Sequence, residues 1–471
     1  MKLTTAVISL LFSVTLFAQD GYEIKVTLKP FKNEWVYLGH YYGSKQLPIV
    51  DSVKLNDKSE AVFKGSKKLG GGIYLVGYPD RTRTLELLLD KNQHFQVIAD
   101  TSKPQDIQFV NSPENTAFQA YQKFMVMHGR AIDSLNKLHD AASASIKDQV
   151  KSRQEAITKY RMDIMTKDPN GILSVLLKAM KDPEVPADAA EAKSDSTFAY
   201  RYYKAHYWDG VDFFDERLVR TPFFEGRVDR YYEQLVYPSA DSVIKEMDWM
   251  LGTASVNEEM QKFLLLKFVN RYYNQKYMWE DKVFVHLFEK YFSQKQYPWL
   301  TDKGVKMITD RAYSLMSNIF GSPAADVALP DLDGKQKSLY SINAPYTLLV
   351  IWDPTCGHCK ELVPSLDTLY KTKWKALGLQ PYALAKETEG TEKDWRNFID
   401  KNGLSGWVHV YYSKAADKAR IESGIPGYSQ LFDVQSFPTL YLLDKDKRII
   451  AKKITKEQID EILEYRRKNG K

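Results

Sequence analysis

The stretch of this chain that decides the fold of its last third is Trp352-Asp353-Pro354-Thr355-Cys356-Gly357-His358-Cys359-Lys360. It follows the apolar run Thr347–Ile351, which predicts a strand buried on both faces. After it, apolar residues at 362, 363, 366 and 369 recur with helical spacing. A Cys-x-x-Cys pair where a strand becomes a helix places its first sulfur at the helix N-terminus. There the unpaired N–H groups and the helix dipole favour the thiolate form of Cys356.

Cys356 and Cys359 are the only two cysteines among the 471 residues. A disulfide scaffold would carry several pairs, so this pair is predicted to be reactive. We predict that Cys356 attacks a disulfide and that Cys359, one helical turn further on, resolves the mixed disulfide. An inert disulfide or a metal site is the alternative. A two-thiol metal site needs two more ligands, and only His358 lies nearby in sequence.

Further features around this pair resemble the TlpA/ResA branch of the thioredoxin fold, in the form found in Bacteroidota. The resemblance covers residues 323–471 and rests on Trp352, on Pro364, on Ser436-Phe437-Pro438-Thr439 before an apolar run, and on the lead-in Leu329–Lys335. It implies a thiol–disulfide oxidoreductase with Cys356 and Cys359 as catalytic residues. Its redox-active group is then the Cys356–Cys359 disulfide, with no other cofactor and no bound metal.

The residues between the two cysteines are Gly357 and His358. Gly-His resembles the dipeptide of protein disulfide isomerase more than the Gly-Pro of reducing thioredoxins. The imidazolium or its N–H groups are expected to stabilise the Cys356 thiolate and with it the reduced form. A solvent-exposed spacer of little effect is the alternative.

The resemblance also assigns supporting roles to Trp352, Phe437 and Pro438. If the bond before Pro438 is cis, the backbone of Phe437 is exposed beside the sulfurs, where a substrate strand can pair with it. Trp352 is expected to pack beneath the disulfide.

The chain departs from the family at the carboxylate that serves as proton acceptor. Val350 occupies the thioredoxin position and Leu362 the position of the ResA-like branch, while Glu361 is one residue off. The proton acceptor for Cys359 is therefore unassigned; another carboxylate or water has to serve.

The start of the chain is typical of a secretory signal peptide over residues 1–18. A basic Met1-Lys2 precedes the apolar Leu3–Phe17 and a plausible cleavage point at Ala18-Gln19-Asp20. This apolar run is shorter than the roughly 20 residues that span a bilayer as a helix, although an uncleaved anchor stays the alternative. The protein is predicted to be periplasmic, with membrane association open. The resemblance implies an upstream membrane electron donor.

The fold class predicted for the whole chain is multi-domain α+β. Residues 19–112 are β-rich and predicted to form a sandwich-like domain, because Tyr22, Ile24, Val26 and Leu28 alternate with polar neighbours. Residues 113–318 have helical periodicity, and residues 323–471 form the thioredoxin-like α/β domain, with a linker at 321–325. This order of β-domain, helical module and thioredoxin domain is also part of the resemblance.

Within the helical region, Ser134–Met165 is expected to form a long exposed helical pair. The aromatic residues of Tyr202–Phe224 are interpreted as a packed core, with a groove for a peptide or glycan as the alternative. A net charge of +6, from 66 basic and 60 acidic residues, is spread along the chain and argues against a nucleic-acid partner.

The leading functional hypothesis is an exported oxidoreductase that exchanges disulfides with other exported proteins, with cytochrome c maturation among its expected pathways. Disulfide isomerase or oxidase activity stays open because of His358. A binding or scaffold protein with a vestigial redox domain is a further alternative. A peroxiredoxin-like peroxidase is disfavoured because Pro354, Thr355 and Cys356 are contiguous rather than spaced as PxxxTxxC.

Overall fold

A computed structural model describes residues 21–80, 83–104, 106–138, 143–186 and 194–469. The predicted signal peptide, residues 1–18, lies outside the described residues. The chain separates into two compact units, one made of residues up to Val236 with Met250–Phe263 and the other of Tyr237–Trp249 with Leu264–Lys471. These units divide the helical region between them, and the domain boundaries inferred from composition stay a prediction.

The N-terminal β-rich region is a sandwich, as its alternating pattern predicts. Its strands are β1 (Tyr22–Lys29), β2 (Trp35–His40), β3 (Ile49–Lys54), β4 (Glu60–Gly65), β5 (Gly72–Gly77), β6 (Thr84–Leu89), β7 (His94–Asp100) and β8 (Gln108–Val110). Within the described residues they form two four-stranded sheets, ordered β4-β1-β7-β8 and β3-β2-β5-β6. Both sheets contribute to one core, which includes Ile24 and Phe63 from the first and Leu38 and Val76 from the second.

Strand β3 is the strand of this sandwich that the sequence pattern did not predict. Its residues are exposed or half-buried throughout, because it is an edge strand paired only with β2 in its sheet. An edge strand with no buried face has little hydrophobic alternation for a pattern to detect.

The helices that follow in the first unit begin with a long pair. They are α1 (Pro113–Asn136), α2 (Ala144–Lys167), α3 (Ile172–Met180), α4 (Phe198–Ala205) and α5 (Phe224–Arg230). The exposed pair expected over Ser134–Met165 is therefore displaced, since Ser134 lies in the last turn of α1. Of the clustered aromatic residues, Tyr207, Phe213 and Phe224 are buried, which agrees with a packed core. Phe214 is exposed.

Further helices are α6 (Ala240–Ala254), α7 (Glu258–Tyr273), α8 (Glu280–Leu287) and α9 (Asp302–Met316). Single turns of π-helix continue α5 over Tyr231–Leu235 and α8 over Phe288–Phe292. The apolar faces of these helices are buried, including Leu264 and Phe268 on α7 and Val283 and Phe284 on α8.

The C-terminal part is a sheet with helices on both faces. Its strands are β9 (Ala328–Pro330), β10 (Gln336–Ser338), β11 (Tyr346–Trp352), β12 (Leu379–Lys386), β13 (Val408–Tyr412), β14 (Thr439–Asp444) and β15 (Ile449–Lys452). Its helices are α10 (Gly357–Thr372), α11 (Glu392–Asn402), α12 (Lys414–Glu422), α13 (Tyr428–Leu431) and α14 (Lys456–Lys468).

The main sheet has the order β13-β12-β11-β14-β15 within the described residues. Strands β11, β12 and β13 are parallel, and β14 runs antiparallel to β11. Central β11 is buried from Thr347 to Trp352, so the apolar run before the cysteines is the two-faced strand that was predicted. Helix α10 begins a few residues after the C-terminal end of this strand.

The expected linker at 321–325 is attached to the second unit. The N–H of Gly321 donates to the carbonyl of Ile449 at 3.0 Å, and the N–H of Ala324 donates to that of Lys447 at 2.8 Å. Its backbone therefore pairs with the β14–β15 hairpin, a long-range contact that glycine and serine content could not reveal.

No helix of the described residues has the length and apolar content to cross a membrane.

Candidate redox site

Cys356 lies at the junction that the sequence predicts, as the N-cap residue of α10. Its side chain is partly exposed, and both cysteines are free thiols. The first N–H groups of a helix have no partner within the helix, and together with the dipole they favour a negative charge at this position. Cys356 is thus the accessible sulfur of the pair.

Cys359 lies one turn into α10 and is completely buried. Burial is the largest cause that raises the pKa of its thiol, to about 12. The backbone N–H of Asp353, 3.5 Å from Sγ, acts in the opposite direction, while neighbouring Cys356 and the charge of Asp353 raise the pKa further. The two thiols are close enough for Cys356 to be a hydrogen-bond partner of Cys359. Cys359 is therefore held protonated behind the accessible sulfur.

The loop that carries Pro438 lies against Cys356. The Phe437–Pro438 peptide bond is cis, and Sγ of Cys356 is 3.8 Å from the carbonyl oxygen of Phe437. Cys356 and Phe437, 81 positions apart in sequence, are thus brought together, as the resemblance implies. A backbone carbonyl next to the accessible sulfur is a group with which an extended peptide can pair.

The other predicted supporting residues have different environments. Trp352 is fully buried in the same cluster as Cys359 and packs on Phe398, with ring centroids 5.1 Å apart. His358 is exposed, and no hydrogen bond or ion pair joins its imidazole to another described residue. Gly357 is exposed too, and an added Cβ there would meet nothing within 4 Å, so close packing does not require glycine.

A buried carboxylate that sequence reasoning left without a task lies beside the dithiol. Asp353 is 4% exposed. One of its oxygens accepts the N–H and the hydroxyl of Thr355, each at 2.6 Å, and the other accepts the hydroxyl of Thr388. The two family positions hold Val350 and Leu362, which have no carboxylate, and the neighbouring Glu361 is exposed. The sequence shows that Asp353 directly follows Trp352, but it does not show where the side chain of Asp353 lies.

A second group that the sequence did not indicate is linked to Phe437 through Tyr428. Lys386, 5% exposed, pairs with Asp417 at 2.9 Å. Its ammonium lies 4.7 and 4.9 Å from the ring centroids of Tyr412 and Tyr428. Tyr428 in turn stacks on Phe437, with centroids 6.2 Å apart. Phe437, whose carbonyl lies beside the accessible sulfur, therefore stacks on a tyrosine that contacts the ammonium of Lys386.

The chemistry available to this arrangement is thiol–disulfide exchange. One sulfur is accessible at a helix N-terminus, and a second lies one turn behind it. Among the described residues, no group of three or more His, Cys, Asp and Glu side chains could hold a metal ion.

Two family models match this chain. Residues 344–449 match the family described as "Thioredoxin-like". Residues 136–311 match a family described as "Domain of unknown function (DUF5106)".

The chain is also similar to characterised proteins and solved structures. It is 29% identical over 143 residues to the "Thiol-disulfide oxidoreductase ResA" of Bacillus thuringiensis. The aligned region covers 30% of this chain and 74% of that protein. A thioredoxin-like protein from Bacteroides caccae is 22% identical over 60% of this chain and 98% of its own, with a TM-score of 0.44. A domain of a "possible thiol-disulfide isomerase" from Cytophaga hutchinsonii is 33% identical, covers 32% of this chain and 94% of its own, and has a TM-score of 0.28.

Proposed function

We propose that the protein exchanges disulfides with other exported proteins through Cys356 and Cys359. The proposal starts from the C-terminal part of the chain, which is a thioredoxin-like domain related to thiol–disulfide oxidoreductases. The observation that carries this proposal is the pairing of a partly exposed Cys356 with a buried Cys359 at the start of α10. The backbone carbonyl of Phe437 beside Cys356 supports a protein rather than a small molecule as substrate.

The first step is attack by the Cys356 thiolate on a substrate disulfide. The substrate S–S bond breaks, a mixed disulfide forms, and the departing substrate sulfur leaves as a thiolate that takes up a proton. Trp352 and Pro438 form the surroundings of the reacting sulfurs.

In the second step Cys359 loses its proton and attacks Cys356. The mixed disulfide breaks, the second substrate sulfur leaves as a thiolate, and the Cys356–Cys359 disulfide forms. The substrate gains two electrons and the pair loses two. The N–H of Asp353 stabilises the developing Cys359 thiolate, and its carboxylate, whose charge acts on Cys359, is our candidate for the missing proton acceptor.

The setting proposed for this reaction is the periplasm, reached through the signal peptide. The pair needs no cofactor other than its own disulfide, but reduction of substrates requires an electron donor, for which we propose a membrane protein. Exported proteins, including cytochrome c precursors by analogy with the family, are the proposed substrates.

Insulin reduction tests the proposal directly. The full chain with dithiothreitol is expected to precipitate the insulin B chain much faster than dithiothreitol alone, because Cys356 attacks disulfides at an activated helix N-terminus. Turbidity measures the rate. Cys356→Ser should lower the rate to that of dithiothreitol alone, while Ser365→Ala, a change further along α10, should leave it unaltered. Full activity in Cys356→Ser would overturn the proposal.

The redox potential is expected to depend on His358. His358→Pro removes the imidazole that we propose to stabilise the reduced form, so wild type should be less reducing than this variant. A difference of about 30 mV corresponds to about 1.4 kcal/mol for two electrons. Titration of both proteins against glutathione measures it, with His358→Gln as a variant that keeps an N–H donor. Equal potentials for wild type and His358→Pro would remove this role.

A further inference from the structure

A buried group of charges joins helix α9 to the chain segment that precedes Pro438. Arg311 and Asp433 are 6% and 3% exposed, and Nη1 of Arg311 donates to Oδ1 of Asp433 at 2.5 Å. Ser314, on the next turn of α9, donates to the same oxygen at 3.0 Å. Lys453 pairs with the other oxygen. Several donors therefore hold one buried carboxylate.

The guanidinium of Arg311 is itself held in place. Its Nε donates to the carbonyl of Tyr273 at 2.8 Å, and its Nη2 donates to the side chain of Gln275. Because the guanidinium is planar, these bonds fix its orientation as well as its position. Asp433 is thus tied to the end of α7 as well as to α9.

Asp433 is close in sequence to the carbonyl that faces the reactive sulfur. It lies four residues before Phe437 and has a φ of +44°, a left-handed conformation that residues other than glycine rarely adopt. The next residue, Val434, donates to the carbonyl of Ser429 at 3.0 Å. The contacts of its carboxylate hold Asp433 in this conformation, and with it the course of the chain toward Phe437.

We propose that Arg311 is a positioning residue of the redox site, which holds the segment 433–437 so that the Phe437 carbonyl can bind the main chain of a protein substrate beside Cys356. The inference rests on the proposed function. Arg311 is the last residue of the region that matches a family of unknown function, so the inference also assigns a role to one residue of that region. Small disulfides, which have no peptide main chain, do not need this carbonyl.

The full chain with Arg311→Gln tests this role against wild type and Lys447→Gln. Lys447 is a matched control because it is a buried cation, 3% exposed, whose Nζ donates to the carbonyl of Ile342 at 2.7 Å. The charged groups that act on it are Asp444 and Asp446, not Asp433. Initial rates are measured with insulin and with 5,5′-dithiobis(2-nitrobenzoate). Arg311→Gln should lower kcat/KM for insulin about tenfold or more and change that for the small disulfide less than about twofold. Lys447→Gln should leave the ratio of the two values unaltered.

Two milder variants keep the test decisive if Arg311→Gln does not fold. Arg311→Lys keeps the charge and should restore part of the insulin activity. Ser314→Ala removes one donor to Asp433 and should shift the ratio in the same direction by a smaller factor. An unaltered ratio in these folded variants, with an active wild type, would overturn the positioning role alone. A wild type that reduces neither disulfide would overturn the proposed function and this inference with it.

Discussion

Iodoacetamide is expected to alkylate Cys356 and to leave Cys359 unmodified when the folded, reduced chain is treated at neutral pH. Cys359 is completely buried, and the pKa of its thiol is raised to about 12. Only the thiolate reacts, and an ordinary thiol titrates at about 8.5, so Cys359 has roughly a thousandfold less thiolate than an ordinary cysteine at neutral pH. Mass spectrometry of the peptides that contain each residue, after short reaction times, measures the two rates separately.

The pH dependence of this reaction has a definite sign. Because the pKa of Cys359 is raised, its thiolate fraction increases about tenfold for each pH unit up to about pH 12, and its alkylation should become measurable only in strongly alkaline solution. The chain unfolded in guanidinium chloride is the control, in which both cysteines should react at similar rates. Equal alkylation of Cys356 and Cys359 in the folded chain at pH 7 would contradict the assignment of attacking and resolving sulfurs.

Cys359→Ala should convert the protein into a trap for its substrates. The mixed disulfide on Cys356 would form as in wild type, but the sulfur that breaks it from one helical turn away would be absent. Intramolecular attack by a well-placed group corresponds to an effective concentration on the order of 10⁵ M or more, whereas external thiols are present at millimolar levels. We therefore expect the mixed disulfide to persist at least about a thousandfold longer than in wild type. Non-reducing electrophoresis after acid quenching measures its lifetime.

Cys356→Ala is the matched control for the trap. It keeps Cys359, but a buried thiol cannot reach a protein disulfide, so no mixed disulfide should accumulate. Both substitutions remove a single sulfur and leave the helix start otherwise unaltered. Prompt release of substrate by Cys359→Ala would show that another group resolves the intermediate. The captured proteins would identify the substrates and the direction of exchange.

Hydrophobic periodicity predicted the strands and helices around the redox pair, because the pattern that identifies each of them lies within a short segment of sequence. The periodicity of residues 392–402 predicts a helix, and α11 has those bounds, while strand β11 and helix α10 extend a few residues beyond the predicted segments. Helices α12 and α13 were not predicted. Neither has a fully buried residue, so neither has the apolar stripe on which pattern recognition depends.

The sequence by itself determined that two cysteines lie one helical turn apart at the start of a helix, and the resemblance to a known family assigned the Pro438 loop to the same site. The spacing of the two cysteines is a property of the chain that folding does not alter. Only the tertiary structure decided that Asp353 is the carboxylate beside Cys359 and that Arg311 reaches Asp433 across 122 residues. Such contacts depend on how helices and strands pack. Packing is set by the sum of many weak interactions over the whole domain, and no short segment contains that information.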